Sequence, residues 1–180
     1  NSIFRTKIVI YIKAELTMSI ARQVVTNKLN VLHSKAPWVC RNDTVMGGRS
    51  FSQNFYDEGT ETRVFTGTVS LENNGGFCSS WISMQPSIDM SEYEGLYIDA
   101  VALEESTFRL MMRDEKCGNS GIYFCHNFQA SPVGSPSFHR TYIPFSKFEC
   151  MWRGQHVDRE PVIKNNILQF GLMAIKTFVV

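Results

Sequence analysis

The sequence predicts an all-β domain of the sandwich or barrel type, preceded by a partly helical basic segment. The first observation is that the apolar period changes along the chain, from about 3.6 residues before residue 37 to 2 residues from Phe51 onward. The second is a series of short apolar runs separated by turn signals, of which residues 73–76 (Asn-Asn-Gly-Gly) are the clearest. Many short strands joined by tight turns are typical of β-sandwiches and barrels.

Alternation of apolar and polar residues places the individual strands. In residues 65–71, Phe65, Val69 and Leu71 alternate with polar residues, which predicts a strand with one buried face. Residues 73–76 accept positive φ and are expected to reverse the chain, so that residues 77–84 form the return strand. Further strands are predicted at residues 51–56, 96–101, 108–113, 122–128, 141–143 and 167–174, with a last one beginning at 178–180.

Charge divides the chain into two parts, although the 180 residues together carry a formal net charge of only +1. Residues 1–35 contain six basic side chains and one acidic side chain, and the rest of the chain contains 12 basic and 16 acidic side chains, so the local charges are +5 and −4. The change near Ala36-Pro37 predicts a basic arm at residues 1–36 and a domain at residues 37–180. The near-zero total argues against a domain that binds nucleic acid over its whole surface.

The arm is predicted to be partly helical and to dock on a partner. Its apolar residues recur at every fourth position, as on one face of a helix: Ile8, Ile12, Leu16, Ile20 and Val24. The β-branched run at residues 8–12 leaves a strand open as the alternative. An apolar face needs a surface to cover it, and its own domain, a membrane surface and a partner protein are the three choices, with the partner favoured.

The arm also indicates an organelle. It is rich in Arg, Lys, Ser and Thr and poor in acidic residues, which resembles the end of an organellar transit sequence. The longest apolar run, at residues 8–12, is far below the ~20 residues of a membrane-spanning helix. Five scattered cysteines form a poor disulfide framework and favour a reducing compartment: Cys40, Cys78, Cys117, Cys125 and Cys150.

No catalytic residue, metal ligand, cofactor site or small-molecule substrate is predicted. The sequence has no C-x2-C or paired-histidine spacing for a metal, and no G-x-G-x-x-G or Gly-Lys-Ser/Thr motif for a phosphate. Cys125 and His126 are adjacent in a predicted strand, so their side chains are expected to point to opposite faces. An enzyme would require some of His126, His139, Cys117 and Cys125 to meet in one pocket.

Five sequence blocks stand between Trp38 and Ala174. The first is Trp38 with residues 42–50, which read Asn-Asp-Thr-Val-Met-Gly-Gly-Arg-Ser. The others are residues 65–77, 93–96, 143–148 with Arg153-Gly154 shortly after, and 167–174. In this order, the blocks resemble the complex I intermediate-associated protein family, the thirty-kilodalton assembly factor of NADH:ubiquinone oxidoreductase. The resemblance leaves residues 1–35 uncovered.

The resemblance implies a galactose-binding-like jelly-roll β-sandwich. It further implies a non-enzymatic assembly or scaffold protein of an organellar membrane protein complex, either respiratory complex I or a photosynthetic complex. The expected location is peripheral to a membrane in a mitochondrion or a plastid, and the expected partners are subunits of that complex.

Two other functions stay open at this point. A carbohydrate-binding module would require exposed rings at Trp38, Trp81 or Trp152, although core or interface packing is the more frequent role of tryptophan. An RNA-binding factor that supports organellar protein synthesis would use the basic arm to contact phosphates. Nucleic acid is nevertheless not an expected partner, because the sheet region does not interleave basic and aromatic residues.

The loops of the motif blocks are the predicted partner surface. The side chains of Asn42 and Asp43 are expected to hydrogen-bond the backbone of their own turn, and the paired glycines are expected to supply positive φ or close approach. Loops on a rigid scaffold commonly carry binding residues. The predicted surface consists of Trp38, Asn42, Asp43, Gly47, Gly48, Ser50, Asn73, Asn74, Gly75, Gly76, Arg153 and Gly154.

Overall fold

The computed structural model describes residues 5–13, 16–20, 23–29, 37–103 and 106–176. Within these ranges the chain forms β-strands and four short 3-10 turns, and it contains no α-helix. The strands are β1 (Arg5–Lys13), β2 (Leu16–Ile20), β3 (Gln23–Leu29), β4 (Val39–Cys40), β5 (Phe51–Asp57), β6 (Thr62–Ser70), β7 (Phe77–Ile88), β8 (Gly95–Ala102), β9 (Thr107–Asp114), β10 (Ile122–Phe128), β11 (Ser131–Pro132), β12 (His139–Pro144), β13 (Glu149–Trp152), β14 (Gln155–His156) and β15 (Ile167–Ile175). The 3-10 turns are Asp43–Met46, Glu72–Asn74, Glu115–Cys117 and Phe145–Lys147.

The described strands form two sheets. The first has eight strands in the order β3-β2-β8-β1-β6-β5, with β11 and β12 paired to β8. The second has seven strands in the order β14-β13-β10-β9-β15-β7-β4. In its centre, β15 runs antiparallel to both β7 and β9 along its length. This arrangement confirms the predicted all-β sandwich.

The main core lies between the two sheets. Side chains alternate between the faces of a strand, and the inward positions of the second sheet are apolar, since Ile82, Phe124 and Phe170 are at most 1% exposed. Phe65 and Ile98 of the first sheet are buried in the same cluster. This apolar layer fixes which residues of the second sheet face outward, and the candidate site lies on that outward face.

The predicted helix in the N-terminal arm is wrong, because residues 5–13 form strand β1. β1 pairs antiparallel with β6 over all of its residues, and its end also pairs with β8. Residues four apart lie on one face of a helix, but they also lie on one face of a strand, whose period is 2. The fourfold spacing therefore fits both structures, and the β-branched run at residues 8–12 favours the strand.

The structure describes only part of the apolar face that was predicted to dock on a partner. Ile8 and Ile12 are buried in the main core, so they pack on their own chain rather than on a partner. The side chains of Leu16, Ile20 and Val24 lie outside the part of the chain that the structure describes, although the backbone there forms β2 and β3. The predicted boundary at residue 36 stays a prediction.

The strands predicted between residues 51 and 174 are all present, with ends shifted by a few residues. The last predicted strand, at residues 178–180, lies outside the described residues. Within the described ranges, no helix has the length and apolar composition that crossing a membrane requires.

Candidate functional site

One buried carboxylate, that of Asp43, holds the loops of the first two motif blocks together. It is 0% exposed and accepts hydrogen bonds from the backbone amides of Ser50 at 2.9 Å, Gly76 at 2.8 Å and Phe77 at 3.3 Å. The Ser50 hydroxyl donates a further, short hydrogen bond to the carboxylate and accepts one from the Ser70 amide at 2.9 Å. A buried carboxylate is tolerated when donors satisfy its oxygens, as they do here. Asp43 was predicted to bond only to its own turn. Its carboxylate in fact joins two loops that are distant in sequence.

Two glycines leave room for this carboxylate. A Cβ atom on Gly48 would lie 2.3 Å from Oδ1 of Asp43, and a Cβ atom on Gly75 would lie 2.6 Å from Oδ2. Both distances are far inside van der Waals contact, so any larger residue would displace the carboxylate or the loop. Gly47 ends the Asp43–Met46 turn with a φ of 89°, in the left-handed region that favours glycine. These glycines therefore shape the loops around Asp43.

The two asparagines next to this site bond to neighbouring segments. The Asn42 side-chain oxygen accepts a hydrogen bond from the Ser52 hydroxyl at 2.7 Å, not from its own turn as predicted. The Asn73 side-chain amide donates to the carbonyl oxygen of Gly47 at 3.1 Å. The first contact links the first loop to strand β5, and the second contact links it to the second loop. The two loops therefore form one connected unit.

A groove of about 800 Å³ runs across the outward face of the second sheet, next to these loops. At one end it is bounded by the loop that follows β4, and at the other by the turn between β13 and β14. Because β4 and β14 are the two edge strands of this sheet, the groove spans the sheet's whole width. Six of the predicted surface residues line it: Asn42, Asn74, Gly75, Gly76, Arg153 and Gly154.

The floor of the groove is part of a second apolar layer, on the face of the sheet opposite to the main core. The rings of Trp81 and Tyr123 meet there edge to face, with their centroids 6.0 Å apart. Half-buried Phe77 and Ile175 extend the layer. The layer was not predicted, because the alternation of residues was taken to indicate one buried face and no second apolar face was expected. Six buried side chains form it: Trp81, Met111, Tyr123, Cys125, Met151 and Met173.

Basic side chains surround this floor, and the described residues that line the groove include no carboxylate. Two of these basic side chains donate hydrogen bonds to neutral groups. Arg109 donates to the Asn127 side-chain oxygen at 2.9 Å, and Lys176 donates to the Thr6 hydroxyl. The ion pairs between described residues involve other cations. The basic residues of the groove are Arg41, Arg109, Arg113, Arg153 and Lys176.

Arg113 combines partial burial with incomplete pairing. It is half-buried, its Nη1 lies 3.5 Å from the side-chain oxygen of Gln169, and its Nε is buried without a hydrogen-bond partner among the described residues. Burial lowers the pKa of Arg113, and repulsion from Arg41 lowers it further. The groove therefore carries positive charge that the described protein does not neutralise.

Each tryptophan ring of the chain has an arginine guanidinium over it. Trp81 is only 5% exposed, as its predicted packing role requires, whereas Trp152 is 40% exposed. Trp38 is half-buried against the main core. The guanidinium carbon lies 4.8–5.5 Å from the ring centroid in the pairs Arg63–Trp38, Arg113–Trp81 and Arg153–Trp152.

The residues that an enzyme would need do not meet in one pocket. Cys117 lies in the main core, Cys125 lies in the second apolar layer, and His139 is on β12 of the other sheet. Burial raises the pKa of Cys117 to about 12 and that of Cys125 to about 11, so both thiols are protonated at neutral pH. Nδ1 of His126 lies 3.0 Å from the carbonyl oxygen of Lys147. In the described ranges, no group of three or more potential metal ligands occurs.

Solved structures of a carbohydrate-binding module share this fold. A family 11 module from Clostridium thermocellum, in complex with a β-1,3-1,4-mixed-linked tetrasaccharide, has a TM-score of 0.56 and 15% sequence identity, covering 89% of this chain and 86% of that chain. A solution structure of the module CtCBM11 has a TM-score of 0.52 and 14% identity, covering 90% and 91%. These likenesses confirm the jelly-roll form of the sandwich, and at such identities they concern the fold alone.

Sequence comparison identifies the family. An uncharacterized protein of Schizosaccharomyces pombe is 24% identical over an alignment of 148 residues that covers 76% of this chain and 67% of that protein. The sequence model of the Complex I intermediate-associated protein 30 family matches residues 27–178. This match begins within β3, so it includes part of the segment that the motif blocks left uncovered. The chain therefore belongs to the Complex I intermediate-associated protein 30 family.

Proposed function

We propose that this chain is a non-enzymatic scaffold that binds subunits of respiratory complex I while that complex is assembled. The observation that carries the proposal is the match of residues 27–178 to a family named for its association with complex I intermediates. A scaffold of this kind acts in the mitochondrion, at the surface of the membrane that holds the complex. The photosynthetic complex and the plastid have no comparable support, because the family's name refers to complex I alone.

The groove on the second sheet is the proposed subunit-binding surface. Its ends are formed by loops of the motif blocks, and Asp43 fixes two of these loops to each other through buried hydrogen bonds. A rigid scaffold that presents loops is a common design for binding sites. An apolar centre with a polar rim is also the usual anatomy of a protein–protein interface.

The non-enzymatic part of the proposal is supported by the state of the candidate catalytic groups. Cys117 and Cys125 are buried and protonated, so neither is an activated nucleophile. The Asp43 carboxylate accepts hydrogen bonds from four donors and has no exposed surface, so it is not placed to take a proton from a substrate.

Carbohydrate binding is the second candidate, because a structural neighbour was solved with a tetrasaccharide. A sugar ring usually stacks on an exposed aromatic face. In this chain Trp81 is buried under Arg113, and Arg153 lies over the more exposed Trp152. A sugar would have to displace a guanidinium from either ring face, so the contacts favour the scaffold. The RNA-binding alternative depends on the basic arm, where the guanidinium of Arg5 is paired with Glu72 at 2.8 Å.

Removal of the gene in the source organism tests the proposal. We expect native gels of mitochondrial membranes to show less assembled complex I, with the other respiratory complexes unchanged. The wild-type chain should restore the complex, and the double variant His126→Gln, His139→Gln should restore it equally, because no catalytic step is needed. The protein should sediment with mitochondrial membranes and be released by alkaline carbonate, as a peripheral protein is.

Two results would contradict the proposal. Normal levels of complex I in cells without the gene would exclude the assembly role. Failure of the histidine double variant to restore the complex, despite a wild-type melting temperature and wild-type abundance, would indicate that the histidines act in a reaction and that the non-enzymatic role is wrong.

A further inference from the structure

The groove combines two properties that limit what it can bind. Its floor is apolar over several strands, from Phe77 on β7 to Tyr123 on β10. The loops at the two ends of the groove form its rim. This rim carries basic side chains at both ends, with Arg41 after β4 and Arg153 between β13 and β14. A ligand that fills the groove must therefore place apolar groups on the floor and anionic groups along the rim.

The rim also has apolar side chains that lack cover in the described part of the chain. Val45 and Met46, on the 3-10 turn beside Arg41, are 78% and 63% exposed. Both line the groove. Large apolar side chains beside a cationic cleft are typical of a surface that a partner protein covers, because their burial is favourable on association.

Ligands that bind mainly by stacking fit this groove poorly. Nucleic-acid bases stack on exposed aromatic faces, but Trp81 and Tyr123 are 5% and 8% exposed and meet edge to face. The Arg113 guanidinium lies 4.9 Å from the Trp81 ring centroid, so a base or a sugar stacked on that ring face would have to displace it. The accessible apolar surface comes instead from Val45 and Met46 on the rim and from half-buried Phe77 and Ile175 on the floor, and aliphatic side chains of a peptide can pack on it.

The Arg113 guanidinium is only partly paired within the described part of the chain. The Nε of Arg113 has no hydrogen-bond partner among the described residues, and an unpaired buried donor is costly. A carboxylate that reached Arg113 would accept from this guanidinium and would also balance the neighbouring charge of Arg41. Charge-assisted hydrogen bonds from arginine to a carboxylate are among the stronger polar contacts in proteins.

We propose that the groove binds an acidic segment of a partner protein, with the segment's carboxylates on the arginine rim and its aliphatic side chains on the floor. This inference deepens the scaffold function proposed above and rests on it. An extended segment presents alternate side chains to opposite sides. A segment that alternates acidic and aliphatic residues would thus satisfy the rim and the floor together.

Fluorescence anisotropy of labelled peptides on the purified chain tests the inference. The probe is a fluorescein-labelled peptide in which glutamate alternates with leucine. Matched probes replace glutamate with lysine or leucine with serine. We expect the Glu/Leu peptide to bind, the Lys/Leu peptide not to bind, and the Glu/Ser peptide to bind about tenfold more weakly because it cannot use the apolar floor. Binding of the Glu/Leu peptide should weaken as salt is raised.

Charge-reversal variants locate the binding. The double variant Arg41→Glu, Arg153→Glu changes two exposed rim residues and should weaken Glu/Leu binding about tenfold or more. The matched control, Lys116→Glu with Lys147→Glu, changes the net charge equally at exposed positions that do not line the groove. We expect the control to stay within about twofold of the wild type. Equal binding by the rim variant, or equal loss in the control, would overturn the inference.

Two other ligands complete the test. Tighter binding of a single-stranded oligouridine or of the mixed-linked tetrasaccharide, lost in the rim variant, would assign the groove to that ligand class and overturn the acidic-segment inference. The peptide assay uses only the purified chain, whereas the amount of complex I in cells depends on the scaffold role. Failure of the inference and failure of the proposed function are therefore distinguishable.

Discussion

Replacing Asp43 with asparagine is expected to destabilise the fold by about 3 kcal/mol. The carboxylate accepts hydrogen bonds from four donors in a site closed to solvent. Asparagine has nearly the same shape but only one acceptor oxygen. Whichever way its amide is turned, the NH2 group faces a donor: the Ser50 amide on the Oδ1 side, or the Gly76 and Phe77 amides on the Oδ2 side.

The less costly orientation turns the NH2 group toward the Ser50 amide. One buried backbone donor then loses its acceptor, which costs about 1–3 kcal/mol. The hydrogen bonds that remain, from Gly76, Phe77 and the Ser50 hydroxyl, lose their charge assistance, and charge-assisted bonds are roughly twice as strong as neutral ones. The two effects together give the expected total, because neither is relieved by water in a site with 0% exposure.

Urea denaturation followed by tryptophan fluorescence measures this loss. With a slope of about 2 kcal/mol/M, the midpoint should fall by about 1.5 M while the slope stays unchanged. The control is Asp89→Asn, because among the described residues the exposed Asp89 carboxylate accepts only from the Ser91 amide at 2.8 Å and the Ser91 hydroxyl at 2.6 Å. Asparagine supports the same local turn, so the control should stay within about 0.5 kcal/mol. An Asp43→Asn midpoint equal to that of the control would refute the role of Asp43 in holding the loops.

Other parts of the structure are tested by three further outcomes. Ile10→Ala should cost about 2–5 kcal/mol in the same denaturation assay, because Ile10 of β1 is 1% exposed; a negligible loss would contradict the place of β1 in the sheet. A thiol reagent should modify half-buried Cys40 in the native protein and reach the four buried cysteines only on unfolding. Arg5→Gln should raise the pKa of Glu72, measured by carboxyl NMR, because the hydrogen bond from Arg5 is the main cause that lowers it. Since the pKa of Glu72 is lower in the folded state, its contribution to stability is present above the unfolded pKa and lost as the pH falls through the folded value.

The strands of the sandwich were predictable where the alternation of residues is long enough to read. β6, with Phe65 and Val69 on its buried face, is the clearest example. Strands β4, β11 and β14 have two residues each, and no periodicity can be recognised in a run that short. β1 was predictable only as an alternative, because Ile8 and Ile12 are spaced in a way that suits both a helix and a strand. Its pairing with β6, far along the chain, decides between the two.

The candidate site was predictable only at its ends. The turn at Arg153-Gly154 and the loop at Asn42 follow from local motifs, but the floor between them depends on the order of strands in the sheet. The runs 110–112 and 172–174 are apolar at successive positions, and such runs are typical of strands buried on both faces. These runs could therefore have predicted the apolar floor of the groove. The hydrogen bond that the Gly76 amide donates to Asp43, 33 residues away, leaves no local signal in the sequence.

Asp43 is expected to determine the stability of the fold, and the rim cations are expected to determine its affinity for the peptide. The Asp43→Asn variant can separate these two roles. A domain is typically stable by about 5–15 kcal/mol, so a loss of about 3 kcal/mol leaves nearly all molecules folded without denaturant. If the hydrogen bonds that remain keep the loops in place, the folded variant should bind the Glu/Leu peptide with an affinity within about threefold of the wild type. Arg41→Glu with Arg153→Glu should show the reverse, with wild-type stability and weak binding. A large loss of affinity in folded Asp43→Asn would mean that the buried carboxylate also sets the position of the groove's loop wall, and that stability and recognition are not independent in this fold.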